Sequence, residues 1–250
     1  MNRIAKQLGR TLVACLFVTS VPCAEAVIVI DDFDTPGGPI AVVMPLLDGE
    51  KTLVETTSPE ILGGQRDALF DIVGTTERLV GFSAEINSGS FWYDGHTPGT
   101  LAIFQYDGLD TDIPGVSPEL VNSENLGGID LTDNGHLFLF GLGFVSIDHP
   151  MNIKIEVHST SGAASFAGTV PASPGTPTMY SAMFRDFVGD DDVFTNATSI
   201  ELCLNSEAAE DIDFQLDYFI AAAPEPSTLA IWGLGIVGIV WGAIRRRRRC

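Results

Sequence analysis

The chain has 250 residues, 33 of them acidic and 13 basic, and a formal net charge of −20 at pH 7. Eight basic residues lie at the two ends, so residues 27–223 contain 31 acids and 5 bases, a net charge of −26. Such an acidic surface repels phosphate backbones, which excludes nucleic acid as an expected partner and suits a secreted protein or a cation binder.

The first 26 residues have the three parts of a secretory signal peptide. Basic residues precede the apolar stretch Thr11–Val21, and Ala24-Glu25-Ala26 fits a small-x-small cleavage site. We therefore expect signal peptidase to release a mature chain that starts at Val27. An alternative cleavage at Leu12–Cys15, which resembles a lipobox, would leave almost no apolar segment after Arg10.

The middle of the chain predicts an all-β protein. Apolar and polar residues alternate in four segments, Val80–Ile86, Asn152–His158, Ser199–Leu204 and Ile212–Tyr218. This phase predicts that the following side chains are buried: Ile153, Ile155, Val157, Ile200, Leu202, Leu204, Phe214 and Leu216. Two segments that are apolar on both faces, Leu101–Tyr106 and His136–Val145, are typical of central strands.

The linking segments contain turn residues, and one of them is long. Gly and Pro separate the strands, which favours a β-sandwich or barrel, and we expect one jelly-roll-type sandwich over residues 27–223. The segment Ala163–Pro177 is rich in small residues and predicts a surface loop.

Cys203 is the one cysteine of the mature part, and either a small half-buried residue or a reactive thiol fits its position.

Three short passages resemble a known class of domain. They are Val29–Asp34, Gly63–Asp67 and Asp213–Asp217, and they resemble the opening, early and closing segments of galactose-binding-like jelly rolls. Many carbohydrate-binding modules have that fold. The resemblance therefore implies a sandwich in which the first and last strands lie together, and it does not identify a ligand.

A run of three aromatic residues, Phe91-Trp92-Tyr93, is the sequence feature that points to a sugar ligand. Successive residues of a strand face opposite sides, so part of this run faces outward. We take Trp92 and Tyr93 as candidate sugar-stacking residues. Packing in the core is the alternative, and it is the commoner fate of aromatic side chains.

Aspartates suggest a calcium site. Asp107, Asp110 and Asp112 place three carboxylates within six residues, and calcium prefers several oxygen ligands on irregular loops. If the first and last strands are neighbours, Asp31 and Asp217 form a second candidate pair. The alternative is that these residues are ordinary turn aspartates and solvated charges.

Motifs for catalysis are missing from the sequence. There is no His-Glu-x-x-His zinc motif, no Gly-x-Ser-x-Gly nucleophile elbow and no phosphate-binding loop. We therefore expect a non-catalytic protein. A secreted polysaccharide-active hydrolase is the alternative, since glycoside hydrolysis needs two carboxylates at a defined separation and the chain is rich in acidic residues.

The C-terminus has three consecutive parts. Pro224-Glu225-Pro226 precedes the uncharged span Ser227–Ile244, which predicts a transmembrane helix. A basic stop follows, made of Arg245, Arg246, Arg247, Arg248 and Arg249, which would stay cytoplasmic.

These three parts, in this order, resemble the PEP-CTERM sorting signal of exported bacterial proteins from organisms that make extracellular polysaccharide. The resemblance implies recognition by an exosortase and cleavage near Pro224–Pro226. The protein would then be held transiently in the inner membrane and released to the cell surface or extracellular matrix. A plain membrane anchor is the alternative.

Overall fold

A computed structural model describes residues 27–35, 51–72, 82–95, 100–109, 126–205 and 212–223. These residues form thirteen β-strands and three short 3₁₀ helices, with no α-helix among them. The all-β prediction is confirmed. Residues 26–224 make up one compact unit.

The strands form two sheets. The six-stranded sheet has the order β10-β7-β13-β5-β4, with β1 also paired to β13. Its strands are β1 (Val27–Asp31), β4 (Phe82–Asn87), β5 (Ser90–Gly95), β7 (Leu139–Ile147), β10 (Thr178–Met183) and β13 (Asp213–Ala222). The seven-stranded sheet has the order β11-β9-β8-β12-β6-β3-β2. Its strands are β2 (Lys51–Thr57), β3 (Gln65–Ile72), β6 (Thr100–Tyr106), β8 (Met151–Ser159), β9 (Gly162–Val170), β11 (Val188–Gly189) and β12 (Ser199–Leu204).

One hydrophobic core joins the two sheets, and phenylalanine dominates its centre. Phe91 on β5 meets Phe104 on β6 of the other sheet edge to face, with ring centroids 4.8 Å apart. Phe70 on β3 and Phe214 on β13 also contact the Phe91 ring. Side chains from the inner faces of both sheets therefore pack together in one core.

The strand phases read from the sequence are confirmed for the eight side chains named above, but the phase of Ile212–Tyr218 holds only as far as Leu216, where a register shift leaves Tyr218 half-buried and buries Phe219. All eight side chains predicted to be buried are at most 3% exposed. The segments that are apolar on both faces form β6 and β7, and each has a partner strand on both sides. Alternation along a strand was sufficient for these eight because most positions between them carry polar groups, such as Lys154, Glu156, Glu201 and Gln215.

The prediction of a loop over Ala163–Pro177 is wrong for its first half. Residues 162–170 form β9, which pairs with β8 from Met151↔Val170 to Ser159↔Gly162. The regular β8 supplies hydrogen-bond partners along this length, which outweighs the weak strand propensity of Ala and Gly. The small residues also make room for larger ones, since a Cβ at Gly168 would collide with the Tyr180 hydroxyl.

A buried ion pair holds the first strand against the opposite sheet. The Arg66 guanidinium on β3 donates through Nη1 to Oδ2 of Asp31 at 2.6 Å, and both side chains are almost fully buried. The Tyr106 hydroxyl donates to the same oxygen at 3.1 Å, and the backbone N–H of Phe33 donates to Asp31 Oδ1. The end of β1 is thus fixed to β3 and β6.

Cys203 is a structural residue of β12. Its side chain is buried, and desolvation, followed by the charge of Glu201, raises the pKa of the thiol to about 12. A thiol with such a pKa holds almost no thiolate at neutral pH, so the reactive-thiol alternative is not supported.

Several predictions fall on other parts of the chain. The signal peptide, the Pro-Glu-Pro motif, the helix over 227–244 and the arginine block all lie outside the described residues. The helices in the described part of the chain are 3₁₀ helices of three to five residues, and none of them could span a bilayer.

Candidate functional site

A groove lies on the outward face of the six-stranded sheet. Its volume is about 510 Å³. It is lined by residues of β4, β5 and β13, and by residues at the end of β7: Ser83, Glu85, Trp92, Tyr93, Asp94, Ser146, Asp148, Asp213, Phe214 and Gln215. The same alternation that sends apolar side chains into the core turns most of these polar ones toward the groove.

One row of side chains crosses the sheet through Trp92. Glu85 on β4 pairs with Trp92 on β5, Trp92 pairs with Gln215 on β13, and Gln215 pairs with Ser146 on β7. Neighbouring strands are about 4.8 Å apart, so the four side chains form a continuous line. The row therefore places one aromatic residue between a carboxylate, an amide and a hydroxyl.

A second row runs beside the first and is acidic. Ser83 pairs with Asp94, and Asp94 pairs with Asp213. The backbone N–H of Asp213 donates to Asp148 Oδ1 at 2.9 Å, and Asp148 Oδ2 lies 3.0 Å from Nδ1 of His149. These contacts fix Asp148 at the end of the row.

Trp92 is the exposed aromatic residue of the groove. Its side chain is 51% exposed, while its neighbours Phe91 and Tyr93 are buried. The Gln215 amide beside it donates through Nε2 to Ser90 Oγ at 2.9 Å, which orients the amide. An indole held between oriented polar groups suits a ligand that has both an apolar face and hydroxyl groups.

Tyr93 does not have the predicted stacking role. It is 3% exposed, and its ring stacks on Phe214 with centroids 5.0 Å apart and planes 19° apart. Strand alternation explains the correction, because a residue next to an outward Trp92 must face the core. The sugar-stacking prediction therefore rests on Trp92.

A second, smaller recess of about 280 Å³ lies on the six-stranded sheet, among residues of β7, β10 and β13. The Tyr218 ring lies over Gly143, where any Cβ would collide with it. Met179 and Asp217 complete this part of the lining. β7 and β13 contribute to both depressions, so this sheet carries the groove and the recess together.

Asp31, which the sequence suggested as a calcium ligand, is occupied by other partners in the structure. Both of its oxygens accept hydrogen bonds inside the core, from Phe33 N–H and from Arg66 and Tyr106. The positive guanidinium beside this carboxylate already balances its charge. A different aspartate, Asp34, three residues after the end of β1, affects Asp217 on β13: partial burial and then the charge of Asp34 raise the pKa of Asp217.

The other predicted calcium ligands are only partly described. Asp107 is buried and accepts a hydrogen bond from Gln105 Nε2 at 3.0 Å, while Asp110 and Asp112 lie outside the described residues. Among the described residues, no three His, Cys, Asp or Glu side chains are close enough to hold a metal ion. Calcium binding at residues 107–112 stays a prediction.

The sorting-signal prediction is confirmed by comparison with known families. Residues 222–249 match the PEP-CTERM protein-sorting motif. The match includes Pro224-Glu225-Pro226, the uncharged span and the arginine block, and it marks the chain as an exported protein. No curated protein matches this sequence.

Solved structures that align with this chain include carbohydrate-binding modules and agarases. A family 11 module of a Clostridium thermocellum cellulosomal cellulase is 13% identical, with 80% of this chain and 96% of that chain covered and a TM-score of 0.36. A family 29 module is 11% identical, with 70% and 87% covered and a TM-score of 0.33.

An exo-β-agarase is 12% identical, with 79% and 25% covered and a TM-score of 0.37. The chain thus spans about a quarter of the length of the agarases that it matches. At such TM-scores the likeness decides neither the fold nor a ligand.

Sequence reasoning missed most of the groove. Glu85, Gln215, Ser146 and Asp148 come from three separate parts of the chain, and only the pairing of β4, β5, β13 and β7 brings them together. The available signal was the polar side of the alternation in Ile212–Tyr218, which marks Asp213 and Gln215 as outward.

Proposed function

We propose that the protein is an exported, non-catalytic cell-surface or matrix protein that binds extracellular polysaccharide in the groove around Trp92. The observation that carries the proposal is the half-exposed indole at the centre of a row of polar side chains. The face of a sugar ring is apolar enough to stack on an indole, and its edge of hydroxyls needs hydrogen-bonding partners. Glu85, Gln215 and Ser146 offer such partners on both sides of Trp92.

The proposed fold is a single jelly-roll-type sandwich over residues 27–223. Three features support it: two antiparallel sheets, repeated crossing of the chain from one sheet to the other, and pairing of the first strand with the last. Val27 pairs with Ala222, so the two ends of the domain lie on adjacent strands. The binding face is therefore built by the same sheet that holds both ends.

The proposed life of the protein has two processing steps. Signal peptidase removes Met1–Ala26, and an exosortase cuts near Pro224–Pro226 after the span 227–244 has held the chain transiently in the inner membrane. The matched sorting motif supports the second step. The mature domain then reaches the cell surface or the surrounding polysaccharide.

Intact mass of the secreted protein tests this processing. We expect the native host to release a species that lacks both Met1–Ala26 and most of Ser227–Cys250. Replacing Pro224-Glu225-Pro226 by three alanines should leave the protein in the inner membrane. A secreted mass that still includes Arg245–Arg249 would contradict cleavage and favour the plain anchor.

Removal of the indole tests polysaccharide binding. In co-sedimentation with exopolysaccharide purified from the host, Trp92→Ala is expected to weaken binding more than about tenfold, because truncation of a central tryptophan costs about 2 kcal/mol or more. Phe138→Ala is the matched control, since Phe138 is 42% exposed and does not line the groove. Equal binding by wild type and Trp92→Ala would contradict the proposal.

The same mixtures address the hydrolase alternative. Release of reducing sugar from the polysaccharide by the wild type, and its loss in a variant with Asp94 and Asp213 both changed to Asn, would favour catalysis at the paired groove carboxylates. We expect no release above the level of a protein-free sample.

A further inference from the structure

The groove around Trp92 is negatively charged. Four of its lining residues are carboxylic acids, namely Glu85, Asp94, Asp148 and Asp213, and no Lys or Arg lines it among the described residues. Three basic side chains of the described residues form ion pairs away from the groove: Arg66 with Asp31, Lys154 with Glu156, and Arg185 with Asp186. The imidazole of His149 lies against Asp148 at the end of the acidic row and is the basic group nearest these carboxylates. A ligand in this groove therefore meets negative charge from both rows.

Glu85 is the carboxylate best placed to act together with the indole. It is the direct cross-strand partner of Trp92, and such pairs have Cβ atoms about 4.5–5.5 Å apart. Its side chain is exposed, and it makes no ion pair with a described residue. An ammonium group near the indole face would be attracted by the ring and by the Glu85 carboxylate at once.

The opposite ligand charge is disfavoured by the same groups. A uronate or sulfate in the groove would lie against like charges, with no Lys or Arg among the described lining residues to compensate, and like charges placed together weaken binding at an interface. Neutral sugars are neither attracted nor repelled by the charge of these carboxylates. The groove is therefore expected to bind cationic sugars more tightly than neutral ones, and neutral sugars more tightly than anionic ones.

We propose that the groove selects glycans with free amino groups, such as N-deacetylated hexosamine polymers, over neutral glycans and over uronate polymers. The proposal rests on the proposed function and names the substrate class of that same site. Trp92 supplies the stacking surface, and Glu85 supplies the charge that recognises the ammonium group.

Calorimetric titration of the full-length protein in detergent, at low salt and mildly acidic pH, tests the selectivity. The probes are a glucosamine hexamer, the N-acetylglucosamine hexamer of equal length, and a hexamer of galacturonate. We expect the glucosamine hexamer to bind about tenfold or more tightly than the acetylated one, and the galacturonate hexamer to bind most weakly. At alkaline pH, where the amines are neutral, the preference should disappear.

Two variants separate a specific site from general attraction to an acidic protein. Glu85→Gln should remove most of the preference for glucosamine. Glu55→Gln is the matched control, because Glu55 is an exposed strand residue on the other sheet and carries the same charge. An equal reduction by both variants would overturn the proposal in favour of non-specific attraction.

The outcomes also distinguish this proposal from the one on which it rests. Equal affinity for the two hexosamine probes, lost in Trp92→Ala, would overturn amine selectivity and leave the binding function supported. Binding of any probe that is unchanged in Trp92→Ala would overturn both.

Discussion

Replacement of Arg66 by alanine is expected to lower the free energy of unfolding by about 3–5 kcal/mol, because it leaves the Asp31 carboxylate buried without its counter-charge. Arg66 is fully buried, its Nη1 lies 2.6 Å from Asp31 Oδ2, and its guanidinium lies over the Phe33 ring at 5.2 Å. Since small domains have about 5–15 kcal/mol in total, the loss is a large share of the stability. Chemical denaturation with circular dichroism measures it.

The net contribution of the Arg66–Asp31 pair to stability is expected to be smaller than the loss caused by removing Arg66 alone. Nε and Nη2 of Arg66 find no acceptor among the described residues, so the pair is not fully compensated for its burial. The double variant Arg66→Met/Asp31→Leu should therefore be more stable than Arg66→Ala. Arg185→Ala is the control, since Arg185 is exposed and should change stability by less than about 0.5 kcal/mol. A decrease in unfolding free energy of less than about 1 kcal/mol for Arg66→Ala would contradict the claim that the variant leaves the buried Asp31 carboxylate without a counter-charge.

Replacement of Phe91 by alanine is expected to cost about 3–5 kcal/mol of unfolding free energy, through lost burial and the cavity left behind. Phe91 is fully buried, and its ring contacts Phe33, Phe70, Phe104 and Phe214 from both sheets. Truncation removes the contact that joins the sheets at their centre. Thermal and urea unfolding of the variant measure the loss.

The adjacent residue provides the control for Phe91. Trp92→Ala removes a larger side chain, but one that is 51% exposed, so we expect a stability loss of less than about 1 kcal/mol. Equal destabilisation by Phe91→Ala and Trp92→Ala would contradict the assignment of Phe91 to the core face of β5 and of Trp92 to its outward face. A small effect at Trp92 also ensures that its binding defect is not a folding defect.

The sequence was sufficient for what depends on one strand at a time. Alternation in β8, β12 and β13 placed Ile155, Leu202 and Leu216 inside, because strand periodicity is local. The same rule requires that Trp92 and Tyr93 face opposite sides, yet it could not say which of them faces the core. That choice depends on which side of β5 meets the second sheet.

What depends on pairing between distant strands could not be read from the sequence. The line Glu85–Trp92–Gln215 needs the register of β4, β5 and β13, and no local pattern fixes it. Asp31 was misjudged for the same reason, since its partner Arg66 is 35 residues away on the opposite sheet. β9 is the third case, since its residues have weak strand propensity and form a strand because they pair with β8 along its whole length.

Fluorescence of Trp92 tests the central claim most directly. The chain has tryptophans only at positions 92, 232 and 241, so Trp232→Phe/Trp241→Phe leaves Trp92 as the sole indole of the full-length protein. Titration with exopolysaccharide purified from the host should shift its emission to shorter wavelength and protect it from acrylamide quenching, because a stacked sugar replaces water on the exposed face. Unchanged emission and quenching, at polysaccharide concentrations where co-sedimentation shows the protein bound, would contradict the claim that Trp92 forms the binding surface.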